Sequence, residues 1–431
     1  MTAEDTIFAL SSGQPPAAIA VLRISGGRAA DVLRRLTGSL PDERRASLVR
    51  VRDPDSRDLL DMALALWFPG PATATGEDLA ELHCHGGRAV VRGIETVLAK
   101  QPGLRKAEPG EFTRRAFANG RMDLAEAEGL SDLLFAETES QRRSAMQMAG
   151  GKLSRKVEEW QGALLALSAQ VEAELDFSDE DDVVPAQLDK TRQATEDLAD
   201  EIGNILSRPR AEKMRDGIRV VLGGPPNSGK STLLNALVER EAAIVSDIAG
   251  TTRDIIEVPV ALGGTPFLFV DTAGLRDEAG EEIEQIGIAR ARKQFDQADL
   301  ILWLGDEGEG PESETLIELA ARNDHPEHRK KSAGALSLSP VTGDGMDQLV
   351  DLLIEKAEDL LPADRQLSVN ERQAGHLTVV QEHFLQIATE TDFLIIAEEL
   401  RLARQELDVL TGRASTEHML DSLFGNFCIG K

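Results

Sequence analysis

Hydrophobic and polar positions along the chain fall into three rhythms. Over the first 120 residues, short apolar runs alternate with turns. Ala17 to Ile24 reads as a strand, Ser25-Gly26-Gly27 as a turn, and Ala29 to Leu36 as a helix. Met62 to Phe68 and Leu79 to His83 read as further strands and Ala89 to Lys100 as another helix, which predicts an α+β domain. From Arg121 the spacing becomes helical. Leu153, Val157, Trp160, Leu164, Leu167, Val171 and Leu175 form one apolar stripe at intervals of three and four. Acidic Asp179 to Asp182 and Pro185 interrupt it, and a second helix is expected over Gln187 to Leu206. Helical periodicity returns near Asn370 and runs through Leu377, Phe384, Leu394, Leu400 and Leu407. The plain reading of these stripes is packing inside one bundle; a partner seam is the alternative.

The third rhythm lies between the two helical blocks. Ile218 to Leu222 is a short β-branched run, as expected of a buried parallel strand. It leads into Gly224-x-x-x-x-Gly229-Lys230-Ser231 and then into helical spacing from Thr232 to Glu239. Strand, glycine loop and helix in that order predict a phosphate site. Backbone N–H groups from Asn227 to Thr232, including those of Ser228 and Gly229, would cradle phosphate oxygens. Lys230 would reach the β/γ-phosphates and Ser231 would ligate Mg²⁺, with the helix N-terminus adding partial positive charge.

Composition narrows the setting. The 431 residues suggest two to four domains. The formal charge of 47 − 75 = −28 argues against a broad nucleic-acid-binding surface, and with 4% aromatics and no Tyr there is no evident stacking platform. Two Cys, an acidic MTAED start and no apolar stretch of membrane-spanning length point to a soluble cytoplasmic protein with no membrane partner.

Downstream, Asp247-Ile248-Ala249-Gly250-Thr251-Thr252 follows the loop at the distance of a switch segment, where a Thr completes the Mg²⁺ shell and senses the γ-phosphate. Ile255 to Leu262, Gly263-Gly264 and Pro266 to Val270 predict a hairpin that delivers Asp271-Thr272-Ala273-Gly274 to a strand end. Asp271 would hold Mg²⁺ through water and the Gly274 N–H would contact the γ-phosphate. In this order the elements predict a GTPase. The guanine-reading Asn-Lys-x-Asp string is absent. The candidate is Leu316 to Asp324, with Ala321 and Arg322 replacing Asn and Lys and with Asp324 as the acceptor; a plain helix end is the competing reading. Ser339-Pro340 resembles the loop that backs the base. Leu275 stands where Ras-type switches carry the water-orienting Gln. Either a partner donates a group, or catalysis comes from elsewhere: a carboxylate among Glu281, Glu282 and Glu284, or a monovalent cation held by the Asn227 amide.

In the first domain, Arg23 and Glu81 lie on strands that can face each other. An ion pair of this kind in a cleft suits a ligand with a carboxylate and a heterocyclic amide, and a surface ion pair is the plainer reading. His83-Cys84-His85 has no second pair at zinc spacing, so His83 reads as a strand end and Gly86-Gly87 as a turn.

Longer strings carry a resemblance. LRISGG from Leu22, WFPGP from Trp67, TGEDLAELHCHGG from Thr75, PGEFTRRAF from Pro109, MDLAEAEGL from Met122, PNSGKSTLLNAL from Pro226, EAAIVSDIAGTTRD from Glu241, DTAGLRD from Asp271 and the terminal FCIGK resemble the MnmE (TrmE) family of tRNA modification GTPases over essentially the full chain. The resemblance implies an α+β N-terminal tetrahydrofolate-binding and dimerisation domain (1–120), a discontinuous α-helical bundle (121–214 and 363–431) and an inserted Ras-like P-loop α/β G domain (215–362). It implies a homodimer working on tRNA with the FAD-dependent partner MnmG (GidA), in a heterotetramer or larger complex. The reaction implied builds aminomethyl-type (carboxymethylaminomethyl) groups at C5 of the wobble uridine from a folate one-carbon unit. The cofactors implied are GTP, Mg²⁺, K⁺ and 5,10-methylenetetrahydrofolate, with 5-formyltetrahydrofolate as analogue. By motif, Arg23, Glu81, Arg121 (where many relatives have Lys) and Lys431 would contact folate. Mg²⁺ would sit on Ser231 and Thr252. K⁺ would sit on Asn227, Ser246, Ile248 and Thr251, with Glu284 activating water and Cys428 a candidate functional thiol. The competing class is an Era/Der-like assembly GTPase without folate chemistry, for which a basic RNA-binding appendage is expected and none is visible; an ATP-dependent enzyme is a third.

Overall fold

A computed structural model describes residues 5–176, 185–240, 256–271, 292–321, 331, 334–362, 366–414, 417–425, 427 and 429–430. The chain divides into two compact units, residues 1–131 with 408–431 and residues 132–407.

The first unit is built on a six-stranded sheet. Its strands are β1 (Thr6–Leu10), β2 (Ile19–Ser25), β3 (Ser47–Arg52), β4 (Leu59–Phe68), β5 (Leu79–His85) and β6 (Leu104–Lys106), in the order β3-β4-β5-β2-β1-β6. Only β6 pairs in parallel, with β1; the other neighbours are antiparallel. Alternation sets the two faces apart. Leu22, Ile24, Ala63, Ala65, Ala80, Leu82 and Cys84 point into a core closed by the helices Ala29–Thr37 and Arg88–Ala99. The opposite face leaves Ile19, Leu48, Met62 and Leu64 exposed. Strands β1, β3 and β6 escape the sequence reading. Each is short, and in β3 (SLVRVR) arginines occupy alternate positions, which lowers its apolar signal.

A buried polar network fixes the loop before β5. Arg115 donates to Glu111 and Glu77, Arg105 donates to Glu111, and Ser25 joins Thr75 and Glu77. Burial alone would raise the Glu111 carboxyl, yet bonds from Arg105, the Glu108 N–H and Arg115 hold it below its ordinary value. The end of the chain packs into this unit. Phe427 is buried against Phe424, Ile429 bridges to Pro109, and Gly430 has φ +98° with no room for a Cβ beside the Leu10 carbonyl.

The second unit holds the other sheet: β7 (Ile218–Gly223), β8 (Ile256–Leu262), β9 (Thr265–Asp271), β10 (Leu300–Trp303), β11 (Leu316–Ala321) and β12 (Leu336–Leu338). Their order is β12-β11-β10-β7-β9-β8, parallel except for the β8–β9 hairpin. Leu316–Ala321 is a strand, which overturns the helix-end reading of that stretch. The crossover from β10 to β11, residues 304–315, carries no helix, where a parallel connection usually has one. Helices Lys152–Asp176, Pro185–Leu206 and Glu371–Thr389 belong to the same unit and are joined to one another, Trp160 donating to Glu201 and Gln381 to the Ala199 carbonyl, with Leu153, Val157, Trp160, Leu164, Leu167 and Val171 buried as the stripe predicts. Helix Glu139–Ala149 meets the β8–β9 hairpin: Ser140 donates to the Gly264 carbonyl and Gln141 to that of Arg215. The chain is a multidomain α/β and helical protein. Among the described residues no helix is long and apolar enough to cross a membrane.

Candidate functional site

The phosphate loop forms because its backbone leaves the ordinary regions. Gly224 has φ +144° and Gly229 φ +102°. A Cβ at Gly224 would lie about 3 Å from Ser228 Oγ and the Gly305 nitrogen. Asn227, at φ +59°, takes a left-handed conformation that Asn tolerates better than most residues. The loop then enters the helix Lys230–Arg240. The Lys230 ammonium, buried to 5% exposure, donates to the Gly224 and Pro225 carbonyls at 3.0 and 2.9 Å.

Strand β9 runs parallel to β7, with Asp271 opposite Leu222, so its last residue reaches the loop. Ser231 Oγ donates to Asp271 Oδ2 at 2.7 Å, and Asp271 is 2% exposed. A hydroxyl and a carboxylate converging at a helix N-terminus suit a hard divalent cation. Ser228 Oγ is buried without a hydrogen-bond partner among the described residues, so the loop has polar capacity to spare for an anion. These residues fit Mg²⁺ and a polyphosphate. Thr232 is exposed on the first helical turn. Ser339, at the end of β12, closes a tight turn in which the Gly343 N–H donates to its carbonyl. Ser246, Asp247, Ile248, Ala249, Gly250, Thr251, Thr252, Thr272, Ala273, Gly274, Glu284 and Asp324 lie outside the described residues, as do Cys428 and Lys431.

The sheet of the first unit bears a second cluster. Arg23 and Glu81 are direct cross-strand partners on β2 and β5. Arg23 Nε and Nη2 donate to Glu81 Oε1 at 3.0 and 2.9 Å, and the guanidinium lies 5.8 Å from the Phe112 ring centre. His83 Nε2 stands 3.2 Å from Glu81 Oε2. Sequence reasoning took His83 for a strand end only. The signal that finds it is the period of two in β5, which sets Glu81, His83 and His85 on one face. Arg121 is exposed, and its Cγ abuts Gly76 in the loop before β5. Cys84, on the core side, is buried, and desolvation with the nearby Asp61 charge pushes its thiol up to about 12.

Two family models and full-length relatives match the chain. A family model described as the GTP-binding protein TrmE N-terminus matches residues 6–121, and one described as the MnmE helical domain matches residues 124–428. The tRNA modification GTPase MnmE of Novosphingobium aromaticivorans is 58% identical over 437 residues, covering 99% of this chain and 100% of that one. The protein of the same name from Erythrobacter litoralis is 58% identical over 430 residues, with 99% and 100% covered. Among solved structures, the G domain of the T. maritima FeoB iron transporter shares 24% identity over 32% of this chain and 98% of its own, at a TM-score of 0.24, too low to bear on function. The phosphate loop, the Ser231–Asp271 pair and these full-length matches together show that the chain belongs to the MnmE family of tRNA modification GTPases.

Proposed function

We propose that the chain is a potassium-activated GTPase that, with a FAD-dependent MnmG-type partner, uses a folate one-carbon unit to build the aminomethyl-type group at C5 of the wobble uridine. The observation that carries the nucleotide half is the Ser231–Asp271 contact at the end of the glycine loop. Bound Mg²⁺ supplies the charge that neutralises the β- and γ-phosphate oxygens. Ser231 would ligate it directly and Asp271 through water, while Lys230 swings from the Gly224 and Pro225 carbonyls to phosphate. Asn227 would ligate K⁺ through its amide, and Glu284 is the proposed water-orienting carboxylate. The Asn-Lys-x-Asp string is missing at the end of β11, so selectivity for guanine would rest on Asp324.

The folate half is supported by the donor set of the second cluster. Glu81 offers a carboxylate to a heterocyclic amide, Arg23 a cation to a carboxylate, and Phe112, Val21 and Leu64 give apolar surface beside them. Gly430 packs against Leu10, and β1 pairs with β2, which supports Lys431 reaching the same sheet. Arg121 would act from the loop around Gly76. The exposed apolar row Leu48–Leu64 continues this face and suits the proposed dimer of the N-terminal domain. The domain limits 1–120, 121–214, 215–362 and 363–431 belong to the same proposal. Equilibrium binding of 5-formyltetrahydrofolate to the full-length protein tests the reading. Arg23→Ala and Glu81→Ala should each weaken it by roughly tenfold or more; unchanged affinity in both would remove folate from the site.

A further inference from the structure

The Glu81 carboxylate has more donors on it than its ion pair requires. A carboxylate offers about four acceptor positions, two on each oxygen. Arg23 takes both on Oε1 through Nε and Nη2, and His83 Nε2, at 3.2 Å, takes one on Oε2. Among the described residues a single position remains. A ring N–H beside an exocyclic amine presents two adjacent donors, which would occupy Oε2 as Nε and Nη2 occupy Oε1. Such a ligand and His83 therefore compete for the same oxygen. Arg23 is the harder group to dislodge: it makes two charge-assisted bonds and lies over Phe112. His83 contributes one bond, and its side chain is 31% exposed, so water can replace Glu81 at its ring nitrogen.

We infer that His83 is a positioning residue that restricts access to Glu81, holding Oε2 through its ring Nε2 until a ligand's paired donors displace it. This rests on the reading of Arg23 and Glu81 as a folate site. Ligand binding therefore costs the His83–Glu81 bond, and a side chain without a donor at position 83 would remove that cost. The charged groups on this face are Arg23 of β2, Glu81 and His85 of β5 and Arg50 of β3. Asp61 is bound by His85 at 2.7 Å, and β2 and β4 set Val21 and Leu64 directly beside His83. From the helix Glu111–Ala118, Phe112 meets Arg23, while Glu111 and Arg115 are engaged with Arg105 and Glu77.

The test is calorimetric titration of the full-length protein with 5-formyltetrahydrofolate. His83→Phe and His83→Leu, which cannot donate to Oε2, should bind about three- to tenfold more tightly than the wild type, while His83→Gln, which keeps a donor, and His85→Gln bind as the wild type does. Unchanged or lowered affinity in both apolar variants would overturn the inference and leave the folate site standing. No binding by the wild type would overturn the folate reading, and this inference with it.

Discussion

Ser231 and Asp271 are one residue each, yet they join two strands of the chain's chemistry, the loop and the hairpin. Ser231→Ala or Asp271→Asn should leave the fold intact and slow GTP hydrolysis by roughly 100-fold or more, measured as phosphate release at saturating Mg²⁺. Cys84 makes a contrasting case. Its buried, high-pKa thiol should stay unlabelled by iodoacetamide at pH 8 in the native protein and react only on unfolding, as read by peptide mass mapping. At this scale the phosphate loop is legible from sequence because its spacing is local. The Arg23–Glu81 pairing is half legible: the residue types stand out, and the register that makes them partners is a property of the sheet. His83 does not stand out in the sequence, because a lone polar residue at a strand end has a plain explanation without the neighbouring Glu81 oxygen.

Among elements, the amphipathic stripe of Lys152–Asp176 was readable at once, since it spans 25 residues of one period. Strands β1, β3 and β6 were not, being short and partnered only through distant contacts. The crossover over 304–315 shows the reverse lesson: a helix expected from topology is replaced by a plain loop. The helix Glu111–Ala118 depends on a carboxylate with 1% exposure held by two arginines. Glu111→Ala should destabilise the protein by about 3 kcal/mol, because it strands the buried Arg115 guanidinium. Its pKa is lowered on folding, so its stabilisation is complete above the ordinary value of 4.5 and lost as pH falls through the folded value. Urea midpoints should therefore drop below about pH 4.5 in the wild type, and less steeply in Glu111→Gln.

For the whole molecule, the sequence conveys the number of parts better than their limits. The helical blocks on either side of the loop domain suggested an insertion, and residues 132–407 form one compact unit that includes both that domain and helices from each block. Ser140 ties the tip of the β8–β9 hairpin at Gly264 to the helix Glu139–Ala149, and Gln141 ties that helix to Arg215. If a cation held by Asn227 takes the place of the missing glutamine, replacing K⁺ by Na⁺ should slow turnover by at least about tenfold while nucleotide affinity changes little. Equal rates in the two salts would remove the monovalent cation from the mechanism.

The central claim is that phosphate chemistry at Ser231 serves a modification at the wobble uridine. Its most direct test is mass spectrometry of tRNA nucleosides from cells in which the chromosomal copy carries Ser231→Ala. The account predicts loss of the aminomethyl-type C5 uridine nucleosides and recovery on expression of the wild-type chain; an unchanged nucleoside profile in the variant would contradict it.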